Sequence, residues 1–111
     1  MEKQLRAWIF CRVALHSPKS LLSFQKNQLE SITNTCNMKV IGATQVISED
    51  KRLNKFEMKY LLIKIRKRKF DVLLINSLYR ISIYPNIYEE FEMICRLNKV
   101  QIVTYTDYIN K

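Results

Sequence analysis

Apolar residues in this chain fall into short continuous runs that alternate with stretches of helical spacing. Leu5 to Ala14 is nearly unbroken, Ala7-Trp8-Ile9-Phe10-Cys11 followed by Arg12-Val13, as expected of a strand covered on both faces. His16-Ser17-Pro18 ends it, and Ser17 or Ser20 offers a helix N-cap with Pro18 suited to the first turn. From Lys19 to Cys36, Leu21, Leu22, Gln25, Leu29 and Ile32 recur at helical spacing, with Gln25 the polar exception on that face. Met38 to Ile47 reads as a second strand, Ser48 to Asn54 as a charged loop, and Phe56 to Lys69 as a second helix carrying Leu61, Leu62 and Ile65. Phe70 to Ile75 is a third strand, Ser77 to Tyr84 a loop, Pro85 to Lys99 a third helix with Phe91, Ile94 and Leu97, and Val100 to Tyr105 a last strand.

Strict alternation of strand and helix predicts an α/β three-layer sandwich around a mostly parallel sheet of four to five strands, joined by right-handed crossovers. In such sheets ligands and chemistry gather at the carboxyl ends of the strands. Those ends hold Arg12 to Ser17, Ser77 to Ser82 and Thr104 to Asp107. Trp8, Tyr60, Phe70 and Phe91 stand on apolar faces and read as core rather than as base-stacking platforms.

The 111 residues fit one domain, 1–111, and 48% hydrophobic content supplies a real core. One glycine and two prolines argue against low complexity and against a turn-rich all-β fold. No apolar run approaches the roughly 20 residues that span a bilayer. A polar start, Met1 to Leu5, and Arg12 inside the first apolar run speak against a signal peptide, so a cytoplasmic protein without membrane contact is expected. Cys11, Cys36 and Cys95 are odd in number and widely spaced, with His16 the one histidine. That pattern suits reduced thiols better than a metal site or a disulfide framework, and no metal or cofactor is expected.

Nineteen Lys and Arg against ten Asp and Glu give a net charge of +9. Such an excess favours polyanions, because each phosphate neutralised releases counterions. A composition rich in lysine, asparagine and isoleucine also arises from AT-rich genomes without any nucleic-acid role. The basic run Lys64 to Lys69, with Lys67 and Arg68 as nucleic-acid candidates, closes the second helix, where the helix dipole alone favours cations.

Four segments in order carry a resemblance. Phe10-Cys11-Arg12-Val13-Ala14 ends the first strand, and Leu21-Leu22-Ser23-Phe24-Gln25 lies on the first helix. Lys55 to Leu62 leads into Phe70-Asp71-Val72-Leu73-Leu74-Ile75, and Leu78-Tyr79-Arg80-Ile81-Ser82-Ile83 follows. Together they resemble the catalytic domain of serine recombinases of the resolvase/invertase type, which carry aromatic-x-Arg-Val-Ser, Ser-Leu-x-x-Gln, a helix entering a Phe-Asp strand, and Leu-Asp-Arg-Leu-x-Arg. The resemblance implies that Arg12 and Arg80 contact the scissile phosphate, that Gln25 orients them or bonds the backbone, and that Lys55 supplies a point charge where the family has arginine.

Departures from the family pattern matter equally. Ala14 stands at the nucleophile's position, and a methyl group cannot attack phosphorus. Tyr79 replaces an aspartate and Ile83 an arginine, while Gln45 and Val46 stand where an acid is expected. The resemblance therefore implies a DNA-recombination domain without catalysis, either a transposon or other mobile-element remnant or an accessory protein. DNA would be held weakly through phosphates, and association would be with a second copy or with an intact recombinase. In the family a long dimerisation helix and a DNA-binding domain follow the last strand, and the sequence stops at Lys111, where that helix is expected to begin. Tyr105, Tyr108 and Ile109 are candidates for a dimer contact there. Two alternatives stay open: an active recombinase or nuclease using another nucleophile such as Ser17 beside His16, and a small α/β interaction module with no DNA role.

Overall fold

A computed structural model of the chain describes residues 4–13, 18, 20–47, 55–76 and 85–109. Its elements are β1 (Arg6–Val13), α1 (Ser20–Thr35), β2 (Lys39–Ile47), α2 (Lys55–Arg66), β3 (Val72–Ile75), α3 (Pro85–Leu97), β4 (Gln101–Thr104) and α4 (Tyr105–Ile109). The strands form one four-stranded sheet in the order β2-β1-β3-β4, and each neighbouring pair is parallel. The expected α/β sandwich is what forms, with four strands among the described residues.

Alternation along β1 divides the core. Ala7, Ile9, Cys11 and Val13 pack with Leu22, Leu29 and Ile32 of α1, and half-buried Tyr105 and Tyr108 of α4 join them. Trp8 and Phe10 point the other way and pack with Leu61 and Ile65 of α2 and with Phe91 and Cys95 of α3. Successive residues of a strand face opposite sides of its sheet, so β1 is apolar on both faces because helices cover both.

On the α2/α3 side, Trp8 stacks on Phe70 with ring centroids 5.4 Å apart, and its indole N–H donates to Thr44 Oγ1 at 2.8 Å. The indole lies over Gly42, its partner across the β1–β2 ladder, where the register slips by one residue after Ala7. A Cβ at Gly42 would come within 2.7 Å of the ring carbons Cε3 and Cη2. The single glycine of the chain is thus used for space rather than for a turn.

Helix ends are therefore made without glycine. Asn37, Arg68 and Lys99 each adopt positive φ, at 54°, 51° and 60°. After α2, Lys69 N–H donates to Lys64 O and Arg68 N–H to Ile65 O; after α3, Val100 N–H donates to Cys95 O and Lys99 N–H to Arg96 O. Both pairs are the crossed bonds of a Schellman cap. These caps end α2 at Arg66 and α3 at Leu97, two to three residues short of the expected Lys69 and Lys99.

Three further expectations need correction. The last strand stops at Thr104 and a short helix starts at Tyr105, because Thr104 Oγ1 accepts from Asp107 N–H and caps it. Leu97, expected in the core, is 72% exposed, and Cys95 takes the buried position beside Phe91 instead. Tyr60 is exposed as well, tilted against Trp8 with Lys64 Nζ 5.2 Å from its ring centroid. Among the described residues no helix is long and apolar enough to cross a membrane.

Candidate phosphate-holding site at the strand carboxyl ends

From β1 the chain turns to α1 on one face of the sheet; from β3 it goes on to α3 on the other. A crevice opens where neighbouring strands send their connections to opposite faces. Here that change of direction falls between β1 and β3, at their carboxyl ends. Arg12 stands at that point.

The β1–β3 pairing ends at Ile9 opposite Leu74, three residues before Arg12. The peptide groups of Arg6, Trp8, Phe10 and Arg12 all face β3, since a strand's N–H and C=O groups alternate sides. Beyond β3's reach, Gln25 takes over. Its Oε1 accepts from Arg12 N–H at 3.2 Å, and its Nε2 donates to Arg12 O at 3.1 Å. A carboxamide presents the same donor and acceptor as a peptide unit, so Gln25 extends the ladder by one rung. At 5% exposure it is the satisfied polar residue on the apolar stripe of α1.

The opposite end of the same edge is closed by Asp71. Its Oδ2 accepts from Arg6 N–H, both its oxygens take the Arg6 guanidinium, and Arg6 Nη2 also reaches Arg68 O. Hydrogen bonding to Asp71 raises the Arg6 pKa above its ordinary value.

Arg12 itself is 8% exposed. Alternation aims its side chain, like those of Trp8 and Phe10, at the α2/α3 face. Lys55 is the first residue of α2, and α2 runs back along the strands from their carboxyl ends. Arg12 and Lys55 are thus brought to one pole and one face. Ala14, His16, Ser17, Tyr79, Arg80 and Ile83 lie outside the described residues, as does the Lys55 side chain.

Lys67 and Arg68, grouped with Arg12 as nucleic-acid contacts in the sequence, are not brought to it. They follow the C-terminus of α2 at the amino ends of the strands, the opposite pole. Gln45 is exposed and Val46 buried near the end of β2.

Other side chains meet at the carboxyl end of β3. Asn76, following β3, donates through Nδ2 to Gln28 Oε1 at 3.0 Å, while its buried Oδ1 has no hydrogen-bond partner among the described residues. Thr106 N–H and Oγ1 both donate to Asn76 O. The signal for Gln28 was present: it follows Gln25 by three residues, so both lie along one side of α1. A groove of about 450 Å³ runs beside β4, lined by Glu92, Arg96, Lys99, Gln101, Thr104 and Asp107. It is separate from Arg12. Among the described residues no three His, Cys, Asp or Glu side chains converge on a metal position.

No family model and no curated protein sequence matches the chain. Solved structures do. The C-terminal catalytic domain of ISC1926 TnpA, an IS607-like serine recombinase, superposes with a TM-score of 0.81 at 24% identity, covering 90% of this chain and 69% of that one. The N-terminal catalytic domain of TP901-1 integrase gives 0.79 at 17% identity, covering 92% and 78%. A resolvase family site-specific recombinase from Streptococcus pneumoniae gives 0.81 at 13% identity, covering 94% and 74%. The chain has the fold of a serine recombinase catalytic domain.

Proposed function

We propose that this chain is a resolvase/invertase-type recombination domain that grips the DNA backbone without cutting it. The observation that carries the reading is the clamp of Gln25 on the main chain of Arg12, which fixes the carboxyl end of the central strand at the crevice. A phosphate there would meet Arg12, Lys55 at the start of α2, and Arg80. The N-terminus of α2 adds its partial positive charge on the same side. On the family pattern the attacking oxygen would be missing, since Ala14 has the position that a serine holds. Arg12, Gln25 and Arg80 then retain binding roles, with Ala14 marking the lost step.

The domain would work in the cytoplasm on DNA, as a mobile-element remnant or an accessory protein. Its partner would be a second copy or an intact recombinase. On this reading the 111 residues would form one catalytic-type domain.

A supercoiled plasmid tests the central point. Incubation should leave no protein covalently attached to nicked DNA, while duplex binding should weaken in Arg80→Gln. Covalent attachment by the parent protein, lost in Ser17→Ala, would establish an active enzyme with another nucleophile and end this reading. The low exposure of Arg12 favours one competitor, an interaction module with no DNA role. Duplex binding that is absent at low salt, or indifferent to salt, would establish that competitor.

A further inference from the structure

The pole opposite Arg12 has its own chemistry. Arg6 opens β1 and Arg12 lies six residues on, so about 20 Å of strand separates the two poles at ~3.3 Å per residue. Lys39 N–H donates to Leu5 O, Asp71 N–H to Arg6 O, and Gln101 N–H to Asp71 O. These bonds set the four strand beginnings side by side in one row. The C-termini of α2 and α3 arrive at the same row, since both helices run antiparallel to the strands.

Cations collect there. Lys39, Arg66, Lys67, Arg68, Lys69 and Lys99 are all exposed. Among the described residues, two carboxylates near them each already hold an arginine: Asp71 binds Arg6, and Glu92 binds Arg96 at 3.3 Å. A helix C-terminus carries only about half a negative charge, which one cation offsets. The four consecutive cations Arg66 to Lys69 at the end of α2 exceed that need severalfold.

A second observation is independent of charge counting. Arg68 and Lys99 occupy the left-handed positions of their caps, at φ 51° and 60°. Glycine is the least strained residue there and asparagine the next. Of the three left-handed positions at this pole, two hold cations and the third holds Asn37.

We propose that this amino pole is a second binding surface for the phosphate backbone of duplex DNA, separate from the carboxyl-end crevice. It does not depend on the recombinase reading. A protein with both surfaces can touch two backbone segments on opposite sides of one sheet, and so hold two duplexes or two turns of one.

The test is fluorescence anisotropy of a short labelled duplex titrated with the full chain across a salt series. The combined variant Lys67→Gln, Arg68→Gln, Lys69→Gln removes three cations, so the log K against log salt slope should flatten by about 2.7. Between ~50 and ~200 mM salt the variant should then lose about 40-fold less affinity than the parent loses. The conservative variant Lys67→Arg, Lys69→Arg should keep the parent slope, which separates charge from folding damage. An unchanged slope in the glutamine variant would overturn the proposal. So would tighter binding to vesicles of anionic phospholipid than to duplex, lost in the same variant, because the surface would then be a membrane contact. Arg80→Gln reports on the crevice alone: if it changes nothing while the glutamine variant flattens the slope, the crevice reading fails and this one stands.

Discussion

Gln25 and Arg12 are joined at two points, and the contact replaces a strand. Arg12 N–H and C=O lie past the last β1–β3 pair, and the Gln25 carboxamide meets both within 3.2 Å. Leaving a buried donor or acceptor unpaired costs about 1–3 kcal/mol each. Gln25→Leu, which keeps the volume and loses both bonds, should therefore lower stability by about 2–4 kcal/mol, read as the urea midpoint at unchanged slope. Gln25→Glu should be no better, since the carboxylate faces a carbonyl oxygen it cannot donate to and is buried without compensation. A loss under half a kcal/mol in both variants would mean that the clamp does not hold the strand end.

Gly42 and Trp8 make the corresponding argument about space. Gly42→Ala puts a methyl into the indole ring, and overpacking of this kind costs about 1–3 kcal/mol. The indole cannot retreat freely, because Phe70 stacks on it and Thr44 takes its N–H. Thr44→Val tests the second restraint: a thermal melt should show a loss of about 1–2 kcal/mol from the unpaired indole donor.

Lys99 offers a gain instead. Its φ of 60° is strained for lysine, and the left-handed conformation costs about 1–2 kcal/mol for a residue with a Cβ. Lys99→Gly should stabilise the protein by about 0.5–1 kcal/mol after the added freedom of the unfolded chain is subtracted. Asn37→Gly should give less, because asparagine tolerates that region better. Equal and large gains at both positions would contradict the strain argument.

The same caps explain which parts of the fold were legible in sequence. Alternating apolar runs placed four strands and three helices in order, because burial on both faces of β1 and β3 leaves them apolar except for Arg6 and Arg12. The ends of α2 and α3 ran too far, since the usual stop signal is glycine and here Arg68 and Lys99 serve. The short helix α4 was missed although Thr104-x-x-Asp107 is a capping pattern; four apolar-rich residues before it read as a longer strand. Gln25 was legible as a site residue because a lone amide on an apolar stripe must find a partner. Asn76 was not, as nothing in its neighbours marks it. Lys67 and Arg68 were grouped with Arg12 by charge alone, and only the direction of the strands separates them by the length of the sheet.

Thiol chemistry gives the last prediction its pH dependence. Cys36 is exposed, while Cys11 and Cys95 are buried. Burial, with the Glu92 carboxylate adding to it, pushes the Cys95 thiol up to about 12. In the native protein a thiol reagent near neutral pH should therefore modify one cysteine quickly, and the other two only after denaturation. The folded-state pKa of Cys95 lies above its ordinary 9.0, so the folded form binds more protons than the unfolded form at alkaline pH. Its contribution to stability is present in full below about pH 9 and declines as pH rises toward about 12. Cys95→Ser removes the titrating group and should flatten the fall in urea midpoint above about pH 9 relative to the parent, with little change in slope below it. Parallel pH profiles for parent and variant would show that the thiol of Cys95 ionises as readily in the fold as outside it, and rapid labelling of all three cysteines would show the same for the burial on which the argument rests.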